Sequence, residues 1–224
     1  MTGMAGSGSD FLYPFLGGLQ PVSRDAVLAE VRLSIRRKAQ DLVELRTSFV
    51  DANAAALVAA ARDLARAFAR GGHLFTFGNG GSATDAQDAA ADFLDPGKGF
   101  RRLPALSLTN DIGVVTGVGN DVGFDNVFAR QIIAHGRPGD AALGFSTSGE
   151  SPNVLAAFAQ ARKQGLITLG LAGYEGGRMA AAGLSHCFVV RSTYVPRIQE
   201  VHATIYHTLG MLTYRILEAD HEVC

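Results

Sequence analysis

The sequence predicts an α/β protein with a parallel, doubly wound sheet. Two observations carry that expectation. From residue 74 onward, short apolar runs alternate with stretches of helical length and periodicity. The runs also end in loops rich in Gly, Ser, Thr and Asn, where ligands of open α/β sheets bind. A chain of 224 residues, 47% hydrophobic, is long enough to bury one good core.

Taken in order, residues 1–24 read as a flexible segment, Gly/Ser-rich over Met1 to Ser9, followed by a single domain over 25–224. Within that segment, Phe11 to Leu19 is apolar but broken by Pro14, Gly17 and Gly18, and it reads as a docking tail. Val27, Val31, Ile35, Leu42, Leu45 and Phe49 recur at helical spacing within Asp25 to Val50. A second, alanine-rich helix is expected over Asn53 to Arg70, stopped by Gly71-Gly72. Strands follow at Leu74 to Phe77, Ala105 to Leu108, Ala141 to Phe145, Leu166 to Leu171 and Cys187 to Val190. Helices are expected at about Ser82 to Leu94, Asp125 to His135, from Val154 to near Gly165, and over a short turn after Gly177. The last helix runs from about Arg197 to Glu218, with Pro196 at its start.

With 20 basic and 21 acidic residues the net charge is −1, so no strong field favours nucleic acid or a membrane surface. Cys187 and Cys224 do not suggest a disulfide framework. No apolar run is long enough to span a bilayer, and the first residues lack a secretion-signal pattern, so a soluble cytoplasmic protein is expected.

The densest chemical signal is Leu143 to Val154, LGFSTSGESPNV. Four hydroxyl residues, Ser146, Thr147, Ser148 and Ser151, surround Gly149 between a strand and a helix. Such a junction aims free N–H groups and a positive dipole end at one point, which suits phosphate. An ordinary turn with a serine N-cap would look much the same. Gly78 to Ser82, GNGGS, lets backbone approach a ligand closely or simply makes a tight turn. It is neither GxGxxG nor GxxxxGK[ST], so no nucleotide cofactor is expected.

Asp85, Asp88 and Asp92 share one face of the helix after GNGGS. Gln199 and His207 lie eight residues apart on the last helix, within about a quarter turn of each other. An arrangement of Asp, Asp, Gln and His suits a divalent metal or acid–base chemistry; a solvated polar face is the simpler alternative.

GNGGS at 78–82, GND at 119–121, STSGES at 146–151, TLGLAGYEGG at 168–177 and RIQEVHATIYH at 197–207 resemble the phosphoheptose isomerases of the sugar isomerase (SIS) domain superfamily. The resemblance runs over about Asp51 to Leu217. It implies a SIS fold, a five-stranded parallel sheet between helical layers, with N-terminal helices used in oligomerisation. It implies a homotetramer that interconverts sedoheptulose 7-phosphate and a D-glycero-manno-heptose 7-phosphate. By matched position, Ser146, Thr147, Ser148 and Ser151 would hold the phosphate of the phosphorylated sugar. Asn79, Gly80, Gly81, Asn120, Asp121 and Gln199 would contact substrate, and Asp92 and His207 would be the catalytic pair. Asp88, Asp92, Gln199 and His207 would be the metal set, for zinc by resemblance.

The chain departs from the family pattern at four places. Asp88 and Asp92 stand where the family usually has His and Glu, and Pro96 and Pro196 stand where it has Arg and Asp. Asp92 is one methylene shorter than Glu, and oxygen donors at 88 and 92 shift preference from Zn²⁺ toward Mn²⁺ or Mg²⁺. These departures keep a second reading open, a non-catalytic SIS protein that binds a sugar phosphate or a protein partner, as in the SIS proteins that bind the bacterial replication initiator.

Overall fold

The computed structural model describes residues 23–221. The docking tail at 11–19, most of the segment 1–24 and Cys224 lie outside them. Two compact units divide the chain, residues 1–43 and 44–224.

Helix α1, Arg24–Ala69, is one element where two were expected. The stretch Val50-Asp51-Ala52-Asn53 contains neither Gly nor Pro, so nothing breaks the backbone ladder there. Asn53 does not cap a new helix; its Nδ2 donates to the Phe49 carbonyl at 2.9 Å, one turn back. In the first unit, the predicted stripe of Val27, Val31 and Ile35 is exposed.

The second unit is a five-stranded, all-parallel sheet in the order β2-β1-β3-β4-β5. Its elements are β1 (Leu74–Gly78), α2 (Gly81–Leu94), β2 (Ala105–Ser107), α3 (Ile112–Asp121), α4 (Val127–His135), β3 (Ala141–Ser146), α5 (Pro152–Lys163), β4 (Ile167–Gly173), α6 (Gly177–Ala180), β5 (His186–Val190) and α7 (Val195–His221). Phe124–Asn126 forms a 3₁₀ turn before α4.

Helix α3 is absent from the sequence expectation. Its Val, Thr and Gly residues are weak helix formers, which hides it. Asp111 supplies the start, its side chain accepting from Val114 N at 3.0 Å. No residue of α3 is buried.

The central strands β1 and β3 are buried along their whole length, as a sheet covered on both faces requires. Phe77 packs edge-on against Phe158 of α5, with centroids 5.2 Å apart, and lies 5.6 Å from Phe128 of α4. On the other face Phe145 meets Tyr206 and His202 of α7. The strand order turns back between β1 and β3, so their C-terminal loops, GNGGS and STSGES, open side by side.

Candidate active site

The hydroxyl loop is folded around itself. Ser146 Oγ lies 2.9 Å from Ser151 Oγ and 3.5 Å from Ser148 Oγ, and it accepts the Gly149 N–H at 3.1 Å. Ser148 Oγ accepts the Glu150 N–H at 3.1 Å. Thr147 O takes the Gly173 N–H at 2.9 Å, and Gly149 O takes the Met179 N–H at 2.9 Å, which pins the loop to β4 and α6. Gly149 has φ +69°, and a Cβ there would meet the Gly176 carbonyl at 2.0 Å, so only glycine fits. Ser151 stands at the N-cap of α5, yet its side chain makes no capping bond. The serine hydroxyl turns inward to Ser146. In the first turn of α5 Pro152 has no N–H, and the Val154 N–H donates to Asn153 Oδ1 at 3.0 Å and the Leu155 N–H to the Ser151 carbonyl at 3.0 Å.

GNGGS turns from β1 into α2 beside that loop. Asn79 and the buried Asn153 exchange reciprocal amide hydrogen bonds, each 2.8 Å, which tie the two loops together. Sequence reasoning passed over Asn153; an amide in the first turn of a helix, next to Pro152, was the available signal. Gly80 takes φ +55° at the N-cap of α2. A Cβ on Gly81 would meet Gln199 Nε2 at 2.2 Å. Glycine at 81 thus admits the Gln199 amide, and the first turn of α7 meets the first turn of α2.

Further along the same two helices, His207 Nδ1 and Asp92 Oδ2 are 2.5 Å apart. Both remain accessible, with side-chain exposures of 58% and 34%. They line a cleft of about 310 Å3 with Pro96, Phe100, Tyr214 and Arg215. Arg215 lies over the Phe100 ring at 6.0 Å and is the one permanent cation among the described residues that line the cleft.

Asp85 and Tyr206 complete the seam. One Asp85 oxygen is buried without a partner, and its carboxyl is pushed up to about 6 by burial and then by the Asp88 charge. Burial, followed by the charges of Asp88, Asp85 and Asp92, holds the Tyr206 phenol well above its ordinary range. The three carboxylates therefore act on one point of α7. His202 is buried between the hydroxyl loop and this seam. Its Nε2–H donates to the Ala172 carbonyl at 3.1 Å, its Nδ1 has no partner, and burial pushes it down to about 4. Ala172 is the register partner of Ser146, so His202 braces the strand end under the hydroxyl loop.

Asp88 is exposed on α2. Asn120 and Asp121 close α3 and are exposed; Asn120 Nδ2 donates to Asp121 Oδ1 at 2.7 Å, and no bond joins them to the other predicted residues. Among the described residues, no three His, Cys, Asp or Glu side chains gather as metal ligands. Asp92 and His207 engage each other and Gln199 is seated on Gly81, so the predicted set does not fit a metal as it stands.

The SIS domain family model matches residues 39–173. A phosphoheptose isomerase from Desulfovibrio desulfuricans is 48% identical over 80% of this chain and 85% of its own length. One from Solidesulfovibrio magneticus is 47% identical over 82% and 90%. Among solved structures, phosphoheptose isomerase GmhA from Neisseria gonorrhoeae is similar with a TM-score of 0.75 and 31% identity, over 82% of this chain and 98% of that one. A phosphoheptose isomerase from Francisella tularensis gives a TM-score of 0.74 at 28% identity, over 84% and 98%. The chain belongs to the SIS-domain family and, within it, to the phosphoheptose isomerases.

Proposed function

We propose that this protein is an aldose–ketose isomerase acting on sedoheptulose 7-phosphate and yielding D-glycero-manno-heptose 7-phosphate. The identity to phosphoheptose isomerases over most of both chains supports it. The observation that carries the chemistry is the Asp92–His207 contact on the same helix pair as the GNGGS turn.

Ser146, Thr147, Ser148 and Ser151, at the N-terminal end of α5, take the phosphate. Binding energy at that remote end positions the reacting carbons. Asn79, Gly80, Gly81, Gln199, Asn120 and Asp121 complete the sugar contacts. One member of the Asp92–His207 pair removes a proton from C1 of the ketose, giving an enediol, and, after exchange with solvent, delivers a proton to C2. The other moves a proton from O1 to O2, so the product is a balanced isomer. No step is routed through a metal, because the predicted ligands do not gather as one.

The proposal extends to a homotetramer in the cytoplasm. The exposed stripe of Val27, Val31 and Ile35 supports subunit contact through the N-terminal helix. Among the described residues no helix is long and apolar enough to cross a membrane. Incubation with sedoheptulose 7-phosphate, with and without Zn²⁺ or Mn²⁺, tests the activity. Aldose formation supports it; a melting-temperature rise with sugar phosphate but no turnover favours the non-catalytic reading.

A further inference from the structure

Helix α2 ends two residues after Asp92, so that carboxylate sits at the negative end of the helix dipole. Its contact with His207 is open to solvent, and among the described residues neither side chain makes another hydrogen bond. An exposed ion pair gains little from its charges and does not by itself hold two helices in place. Asp92 is also one methylene shorter than glutamate, so α2 and α7 have to lie close for it to reach His207. Something besides the pair fixes that spacing.

The residues placed to do so are on α7. His207, Gly210 and Tyr214 recur at i, i+3 and i+7, which puts them on one face of the helix. Gly210 backs onto the Phe93 ring, where a Cβ would lie 3.9 Å from Phe93 Cζ. The Tyr214 O–H donates to the Phe93 carbonyl at 2.8 Å and lies 3.4 Å from the Asp92 carbonyl. Tyr214 is buried, and its ring packs against Phe93 and Phe100 with centroids 6.1 and 5.1 Å away. One phenol thus ties the backbone of α2 to α7 next to Asp92, two turns along from His207. The Phe93 carbonyl also accepts the Leu103 N–H at 2.8 Å, so the helix end is satisfied without the tyrosine.

We propose that Tyr214 is a positioning residue, whose hydrogen bond to the end of α2 sets the Asp92–His207 contact. Its role in turnover rests on the isomerase reading above. A displacement of about 1 Å at a reacting group can cost on the order of 10²-fold in rate, and the short Asp92 side chain leaves little reach to absorb one.

The test is Tyr214→Phe in the full-length protein. It removes the hydroxyl, keeps the ring and leaves the Phe93 carbonyl paired, so melting curves are expected to show an intact fold. With sedoheptulose 7-phosphate, kcat is expected to fall about tenfold or more while KM changes by less than about twofold. In an Asp92→Asn background the same change is expected to cost nothing further, because Tyr214 acts through Asp92. The imidazole ¹⁵N shifts of His207 read the contact without turnover. Asp92 accepts from Nδ1–H in the native protein, and Tyr214→Phe is expected to move the ring toward the Nε2–H tautomer. Unchanged kcat with unchanged imidazole shifts overturns the proposal. So does a full further loss in the double variant, because Tyr214 would then act elsewhere. A wild-type protein that does not turn over defeats the isomerase reading alone; the imidazole shifts then support or overturn the placing of Asp92 by Tyr214.

Discussion

The two ends of the sugar site are built differently. At the hydroxyl loop every serine is engaged, and the backbone is pinned to β4 and α6. At the α2–α7 seam the groups are under tension. Three carboxylates press on one tyrosine, one Asp85 oxygen is buried without a partner, and the Asp92–His207 pair is open to solvent. The difference teaches where each part of the function resides. In the proposed function the pre-built loop binds the phosphate and the seam, where perturbed acids gather, moves the protons.

The largest effect should come from the seam. Asp92→Asn or His207→Asn is expected to lower kcat by about 10²–10⁴-fold with little change in KM, measured by steady-state turnover. Equal losses in kcat and in phosphate binding would erase the contrast between the two ends. Next is the brace between them. His202 is neutral in the fold, lowered from 6.5 to about 4, while the unfolded chain binds a proton below 6.5. Its stability contribution is therefore present above pH 6.5 and lost as pH falls toward 4, to a total of about 3 kcal/mol. Urea melts of His202→Gln should lack that part of the acid slope.

Smaller changes are expected at the loop. Ser146→Ala should raise KM about tenfold and lower kcat far less, because one phosphate hydrogen bond is lost. A kcat effect as large as that at Asp92 would place chemistry at the wrong end. The smallest effect belongs to Asp85, raised from 3.8 to about 6. The fold favours its protonated form, so stability falls as pH rises from 4 to 6, opposite in sign to His202. Asp85→Asn should stabilise the protein at pH 8 by about 1 kcal/mol after allowance for its solvent exposure, and by nothing near pH 4.

Much of this was legible in the sequence. The five strands show as short apolar runs because both faces of the sheet are covered. The hydroxyl loop and GNGGS stand out because Ser and Gly there serve no core. Residues Asp92 and His207 could be nominated from helical spacing and resemblance, but their contact joins positions 115 apart, which no local pattern reports. Asn153 and Tyr206 were hidden for the same reason. Helix α3 was missed because glycine and β-branched residues mask its periodicity, and the break in α1 was wrongly expected because an Asx residue resembles a cap.

The most direct test of the account follows the proton at the seam. The protein is incubated in D₂O with sedoheptulose 7-phosphate and watched by NMR. The account predicts an aldose 7-phosphate carrying deuterium at C2, formed about 10²–10⁴-fold more slowly in Asp92→Asn and in His207→Asn. A protein that binds the sugar phosphate, as its melting temperature shows, yet neither exchanges the C1 proton nor forms aldose with or without added metal would contradict it.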